Sequence, residues 1–158
     1  MELKDRTSID GLLKIYKKFP SGKTELIYEE NNLITTSAKQ ALLGNLVATS
    51  STTDPIVLLK VGNGGTIDSG GFYPKAEDPT QTDLISPVGS TAVTYAAVMG
   101  EVAYTFLADV SSQSLNGVMI TEAGLFKLSG LIFNVKNHPG ITKTAAFSIH
   151  YEWTISLL

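Results

Sequence analysis

Residues 145–157 read Ala-Ala-Phe-Ser-Ile-His-Tyr-Glu-Trp-Thr-Ile-Ser-Leu, and every odd-numbered position in this stretch is apolar. The residues between them are mostly polar. Because successive side chains of a β-strand point to opposite faces, this period of two predicts a long strand with one buried face. A shift of one residue would expose Trp153 and bury Glu152, so we expect the register of this strand to be firmly set.

Outward from this strand, the chain carries further short runs that are rich in β-branched and aromatic residues. We predict strands within residues 11–19, 24–28, 56–61, 91–108, 118–120, 125–128 and 131–135. Turn signals separate several of them, at Pro20-Ser21-Gly22, Asn116-Gly117 and Ser129-Gly130. In the 91–108 run, Tyr95 and Tyr104 alternate into positions that we expect to face the core.

One helix is predicted, over about residues 37–48. Ser37 and Gln40 have the spacing of a capping box, in which each side chain satisfies a free backbone N–H. Apolar residues then recur at helical spacing, namely Ala38, Ala41, Leu42 and Leu46, widened by Leu43 and Val47.

A long loop is predicted at residues 63–87, where Gly, Ser, Thr, Asp and Pro dominate and no periodicity is present. Structureless stretches of this length are usually functional or disordered. The whole pattern predicts a mainly β protein, an antiparallel β-sandwich or barrel-like domain with one α-helix. We place this single domain at residues 11–158, after a polar N-terminal lead-in at residues 1–10.

Composition excludes several classes of site. The chain has 158 residues and no cysteine, which excludes disulfides, a thiol nucleophile and a thiolate zinc site. A net charge of −3 and a single arginine, Arg6, argue against direct binding to nucleic acid. No apolar run approaches the roughly 20 residues that cross a bilayer, so we expect no membrane span.

Two glycine-rich stretches invite a nucleotide-binding interpretation that their context does not favour. Ser21-Gly22-Lys23-Thr24 resembles the end of a phosphate-binding loop, but Lys17 stands where that pattern needs glycine. Gly62-Asn63-Gly64-Gly65-Thr66 resembles the start of a dinucleotide fingerprint, but no helix pattern follows it. We interpret the first as a hairpin turn and the second as a loop that ends a strand.

The remaining polar residues give no convergent catalytic set. Four loop carboxylates are spaced unlike an EF-hand and are more simply solvated than calcium-bound: Asp68, Glu77, Asp78 and Asp83. His150 and Glu152 are neighbours on one strand face, and His138 precedes Pro139-Gly140 as an expected turn residue. We therefore predict no enzyme activity, no cofactor and no metal.

Three segments, in order, resemble a widespread group of small bacteriophage virion structural proteins. They are the Gly-x-Gly-Thr-like loop at 61–66, the Thr-Asp-Leu stretch within 79–84, and Ile-Thr-Glu-Ala-Gly-Leu-Phe at 120–126. The last is similar to the Glu-x-Gly-Leu-Phe hairpin of that group and is followed by Gly-Leu-Ile-Phe at 130–133. The resemblance covers roughly residues 31–158. Lys136 is the nearest cation to a position where the group usually carries arginine.

The resemblance implies a location in the virion, after synthesis in the host cytoplasm. The implied role is tail-associated, in a collar, baseplate or fibre attachment, with other virion proteins as partners. A homo-oligomer is expected, as a trimer or a hexameric or dodecameric ring, because virion parts follow symmetry. Two alternatives stay open: a capsid decoration or head-fibre protein, and a carbohydrate-binding module for host-surface glycans.

The resemblance also suggests roles for individual residues. We expect Glu122 to lie near a tight bend, where its carboxylate accepts backbone N–H groups of the 62–66 loop. Glu122, Gly124, Gly62 and Gly64 would then form a structural anchor. The loop is expected to drape over a neighbouring subunit, with Phe72, Tyr73, Asp83 and Leu84 as assembly contacts.

Overall fold

The computed structural model describes residues 8–47 and 53–158 and is mainly β in this part of the chain. Its elements are β1 (Ile9–Lys18), β2 (Thr24–Asn31), β3 (Leu33–Ile34), α1 (Thr36–Val47), β4 (Ile56–Gly62), β5 (Pro87–Ala92), β6 (Thr94–Ala97), β7 (Ala103–Val110), β8 (Met119–Lys127), β9 (Ile132–Thr142) and β10 (Ser148–Leu157). Two five-stranded sheets form, sheet A in the order β2-β1-β10-β7-β6 and sheet B in the order β3-β9-β8-β4-β5. All strand pairings among the described residues are antiparallel, and the two sheets are not closed into a barrel. This confirms the prediction of a mainly β, sandwich-like domain.

The C-terminal strand is the centre of sheet A. β10 pairs with β1 on one side and with β7 on the other, so that Trp153 lies between Leu13 and Phe106. Trp153, Tyr151 and Ile149 are almost fully buried and pack against sheet B, as their odd positions predict. The strand begins at Ser148, three residues after the start of the alternating stretch, because a turn precedes it.

The N-terminal hairpin forms as predicted, with Gly22 in the left-handed region at φ +88° in the turn between β1 and β2. β1 begins inside the predicted lead-in. Ile9 and Asp10 already pair with Leu157 and Ser156 of β10, and this pairing extends the strand toward the N-terminus. The rest of the predicted lead-in, residues 1–7, lies outside the described residues.

The three short strands predicted between 118 and 135 are in fact one hairpin of two long strands, β8 and β9. β8 runs without a break through Glu122, with a register shift between Ile120 and Glu122. The expectation that Glu122 lies at a tight bend was therefore wrong. The turn lies at Ser129-Gly130, as predicted, where Gly130 has φ +88°.

Helix α1 is confirmed, but its cap is not. Thr35, and not Ser37, caps the N-terminus, because its hydroxyl accepts the Ala38 N–H at 3.2 Å. Ala38 packs against Phe133 of β9, whereas Leu43 is 65% exposed and does not widen the buried stripe. The side chains of Leu46 and Val47, and the predicted end at residue 48, lie outside the described residues.

One end of sheet A is left uncovered by the described part of the chain. The chain crosses from β5 in sheet B to β6 in sheet A through Val93. Beyond this crossing Tyr95, Val102 and Tyr104 are 66%, 68% and 51% exposed, although Tyr95 pairs with Phe106, which faces the core. The prediction that Tyr95 and Tyr104 pack in the core is therefore wrong.

Among the described residues, no helix combines the length and the apolar character that crossing a membrane requires.

Candidate functional site

The long loop, residues 63–86, connects β4 to β5 and is held at both of its ends by one buried side chain. Glu122 has no exposed surface. Its Oε1 accepts the N–H of Gly64 at 3.1 Å and that of Ser86 at 2.7 Å, and its Oε2 accepts the N–H of Ile85 at 2.9 Å. The hydrogen bond from the glycine-rich loop is the one that the sequence predicts. Such bonds to a charged acceptor are short and strong, so one carboxylate ties the two ends together.

Glycine makes room for this carboxylate. Gly62 is the register partner of Glu122 across β4 and β8. A Cβ on Gly62 would lie 2.7 Å from Cγ of Glu122 and 2.5 Å from the Ser86 carbonyl oxygen, and one on Gly64 would lie 2.9 Å from Glu122 Oε1. A Cβ on Gly124 would lie 2.9 Å from the Asn134 carbonyl oxygen. Glu122, Gly62 and Gly64 therefore lie in one close-packed region, whereas Gly124 packs beside Leu84 and Asn134 and not against the carboxylate.

A second tether holds the middle of the long loop against β9. The Asn137 backbone N–H donates to Glu77 Oε1 at 2.9 Å, and its side-chain amide donates to the Lys75 carbonyl oxygen at 2.9 Å. Lys136 Nζ lies 3.3 Å from Glu77 and 3.1 Å from Glu30 of β2. The Lys136 hydrogen bond, followed by one from the Tyr28 hydroxyl, lowers the pKa of the Glu30 carboxyl. The loop is thus joined to sheet B, and Lys136 links its Glu77 to Glu30 of sheet A.

The third tether is apolar and corrects one prediction. Leu84 is only 5% exposed and packs against Phe126, Ile132 and Val135 on the outer face of sheet B. It is part of the core of its own chain, so it is not available as an assembly contact. Its neighbour Asp83 stays at the surface, with its carboxylate 3.0 Å from Lys60 Nζ.

The tip of the loop, residues 67–73, is folded around an aspartate. Asp68 accepts the N–H of Tyr73 at 3.0 Å and that of Phe72 at 3.3 Å, and these bonds, the first above all, lower the pKa of its carboxyl. The Ile67 N–H donates to the Tyr73 carbonyl oxygen at 2.9 Å. Gly71, at φ +72°, accepts the Gly140 N–H through its carbonyl oxygen at 2.7 Å.

Three apolar side chains of the tip nevertheless point to solvent. Ile67 and Phe72 are each 72% exposed, and Tyr73 is 64% exposed. Large exposed apolar groups on an ordered segment are typical of interaction sites. The sequence led us to expect a long loop that reaches out and drapes over a neighbouring subunit. The long loop as a whole does not extend away from the domain. It folds back on sheet B of its own chain, and the apolar side chains of the tip are left exposed.

The sequence predicted only part of the surroundings of the two histidines. His138 lies within β9 and is buried, not in a turn, and desolvation lowers the pKa of its imidazole to about 4. His150 contacts Glu152, as its strand position suggests, but its shorter contact is with Asp109 of β7, at 2.8 Å. Only the pairing of β7 with β10 brings these two residues together, and no local motif signals it.

The four loop carboxylates are used within the fold. Asp68 and Glu77 bind backbone N–H groups, Asp83 pairs with Lys60, and Asp78 accepts the Thr80 N–H at 2.8 Å. Across residues 8–47 and 53–158, no group of three or more acidic, histidine or cysteine side chains is placed to hold a metal ion.

Protein-family models, curated proteins and solved structures, compared with this chain, give no match.

Proposed function

We propose that this chain is a structural protein of a bacteriophage particle that works through subunit contacts and not through catalysis. The location that we favour is the tail, in a collar, baseplate or fibre attachment. Its partners would be other virion proteins and further copies of itself, in a trimer or in a hexameric or dodecameric ring. The resemblance of residues 61–66, 79–84 and 120–126 to virion proteins is the origin of this proposal.

The observation that carries the proposal is an exposed apolar tip on a fixed base. Glu122, Asn137 and Leu84 hold the loop to sheet B, and Asp68 shapes the tip. Binding through a preorganised segment avoids much of the entropy that ordering a loop would cost. Aromatic residues are enriched at protein–protein interfaces, so an exposed Phe72 and Tyr73 on a fixed base suit repeated subunit contacts.

The polar side chains support a role without catalysis. Buried or partly buried groups that resemble acid–base residues are engaged in structural bonds: Glu122 with three backbone N–H groups, and His150 with Asp109. A general acid or base needs access to substrate as well as a suitable partner. Glu122 has no exposed surface.

Quantitative mass spectrometry of gradient-purified particles of the source phage tests the proposal. We expect peptides of this chain at a fixed low copy number, close to a multiple of three or six. A copy number in the hundreds would favour capsid decoration instead. Absence of the chain from clean particles would refute a virion role of either kind.

A glycan-binding module is the second candidate, because Tyr73 and Phe72 are exposed next to each other on the ordered tip. Aromatic faces of this kind can stack on sugar rings. Of the other tyrosines considered for such a surface, Tyr28 is half-buried and donates its hydroxyl to Glu30 at 3.1 Å. Binding on a glycan array that is lost with Tyr73→Ala would favour this candidate.

A further inference from the structure

An apolar cleft of about 740 Å³ opens at the end of sheet A that residues 8–47 and 53–158 leave uncovered. We call it the end cleft. Sheet A provides one wall and α1, β4 and β9 provide the other, with Tyr95, Val102, Phe106, Leu42, Ile56 and Phe133 among the lining residues. Its volume lies within the range of about 300–1,000 Å³ that is typical of binding pockets.

The end cleft and the tip lie at opposite ends of the same strand. Met119, the first residue of β8, lies beside the tip, since its sulfur would contact a Cβ added at Gly71. Lys127, the last residue of β8, lines the end cleft. At about 3.3–3.4 Å per residue, the nine residues of β8 separate the two features by about 27 Å.

The two surfaces are complementary in kind. The tip projects two adjacent aromatic side chains, each able to bury about 150–250 Å². The cleft exposes apolar groups of its own, including the aromatic pair Tyr95 and Tyr104, whose ring centroids lie 6.0 Å apart. Each surface alone would leave large apolar groups in water, and contact between them would cover both.

Charge is also complementary. Lys75 is exposed just after the tip, and Glu101 is exposed on the end cleft. Neither forms an ion pair within the described part of the chain. The two other charged residues of the cleft, Asp54 and Lys127, lie 3.6 Å from each other.

From these observations we propose that the tip of one copy inserts Phe72 and Tyr73 into the end cleft of the next copy, with Lys75 facing Glu101 of that copy. The contact is head-to-tail, so it propagates from copy to copy and closes into a ring where the rotation allows. The inference rests on the proposed function for its biological setting. It deepens that function by naming a second copy of this chain as the partner of the tip.

Complementation between two defective variants of the full chain tests the contact. The tip variant is Phe72→Ser with Tyr73→Ser, and the cleft variant is Val102→Asp, at a residue that is 68% exposed. By sedimentation, we expect the wild-type chain to form trimers or larger species and each variant to be monomeric, with affinity reduced by about thirtyfold or more. A one-to-one mixture should form dimers and nothing larger, because each mixed pair keeps one intact tip and one intact cleft.

Two further measurements separate this contact from a general loss of folding. Leu26→Ser, at an exposed residue of β2 that belongs neither to the tip nor to the lining of the end cleft, should leave the assembly unchanged. Lys75→Glu and Glu101→Lys should each weaken assembly, and the double variant should restore it. The proposal is refuted by a wild-type chain that stays monomeric at high concentration, or by a mixture of the two variants that forms no dimers. Either result would leave the mass-spectrometric test of the virion role unaffected.

Discussion

Gly62 and Glu122 lie directly opposite each other across β4 and β8, and the glutamate side chain occupies the space that any side chain at residue 62 would need. This relationship lets a fully buried carboxylate reach three backbone N–H groups of the long loop. Gly62 and Glu122 therefore act together as one structural unit. This unit fixes the start and the end of the loop to the same point of sheet B.

Replacing Glu122 with glutamine should weaken the attachment of the long loop to sheet B. Glu122→Gln keeps the size of the side chain but removes the charge and turns an NH₂ group toward backbone donors. Bonds to charged acceptors contribute about 1.5–3 kcal/mol each, so we expect the free energy of unfolding in urea to fall by about 3 kcal/mol. Glu29→Gln is the control, since Glu29 is partly exposed and lies 3.8 Å from Lys14. Equal stability of Glu122→Gln and wild type would contradict the anchor role.

A matched pair of glycine substitutions tests whether residue 62 must lack a side chain to make room for Glu122. Gly62→Ala should destabilise the protein by about 1–3 kcal/mol, because its Cβ would collide with backbone at Ser86 as well as with Glu122. Gly44→Ala, in α1, meets nothing within 4 Å and should stabilise the helix by about 0.5–1 kcal/mol. Thermal unfolding of the two variants should therefore shift in opposite directions, and a shift in the same direction would argue against the steric explanation.

Much of the fold could be predicted from local patterns. The alternation in 145–157 identifies the central strand and its buried face, because a period of two can satisfy only one register. Turn residues located the β1–β2 and β8–β9 hairpins. The exposure of Tyr95 and Tyr104 could not be predicted in this way, since alternation shows that residues share a face but not whether a second sheet covers it.

The buried histidine predicts a specific acid sensitivity. Burial holds the pKa of His138 at about 4 in the folded protein, against about 6.5 for an unfolded histidine. Between these values the unfolded chain takes up a proton and the native protein does not, so stability falls as the pH is lowered from about 6.5 to 4. The full loss is about 3 kcal/mol.

Urea denaturation across this window, on wild type and on His138→Gln, measures the effect. Carboxyls whose pKa is lowered, such as those of Glu30, Asp54 and Asp68, begin to lose their contribution only as the pH falls to about 5, so the slope between pH 6.5 and about 5 reports the histidine. The variant should lose most of the slope between pH 6.5 and about 5. The same slope in both proteins would show that another group is responsible.

The site could be predicted only in part. The role of Glu122 and its glycines was expected because their short motifs resemble those of the virion group, and the predicted hydrogen bond from the Gly64 N–H is present. Asn137 and Lys136, which hold the middle of the loop, were not assigned that role, because their partners Lys75 and Glu77 are about 60 residues away in sequence. Contacts of that range depend on sheet topology, and no local spacing encodes them.

A substitution at Leu84 distinguishes packing within one chain from packing between chains. It is 5% exposed and packs on Phe126 and Val135, so Leu84→Ala should lower the free energy of unfolding by about 2–5 kcal/mol through the cavity it leaves. Leu43→Ala makes the same chemical change at a residue that is 65% exposed and should alter stability by less than about 0.5 kcal/mol.

Urea denaturation of Leu84→Ala and wild type at two protein concentrations gives the decisive comparison. An intramolecular role predicts that the difference between Leu84→Ala and wild type does not depend on concentration below the range where copies associate. A deficit that grows with concentration would mean that Leu84 supports an interface.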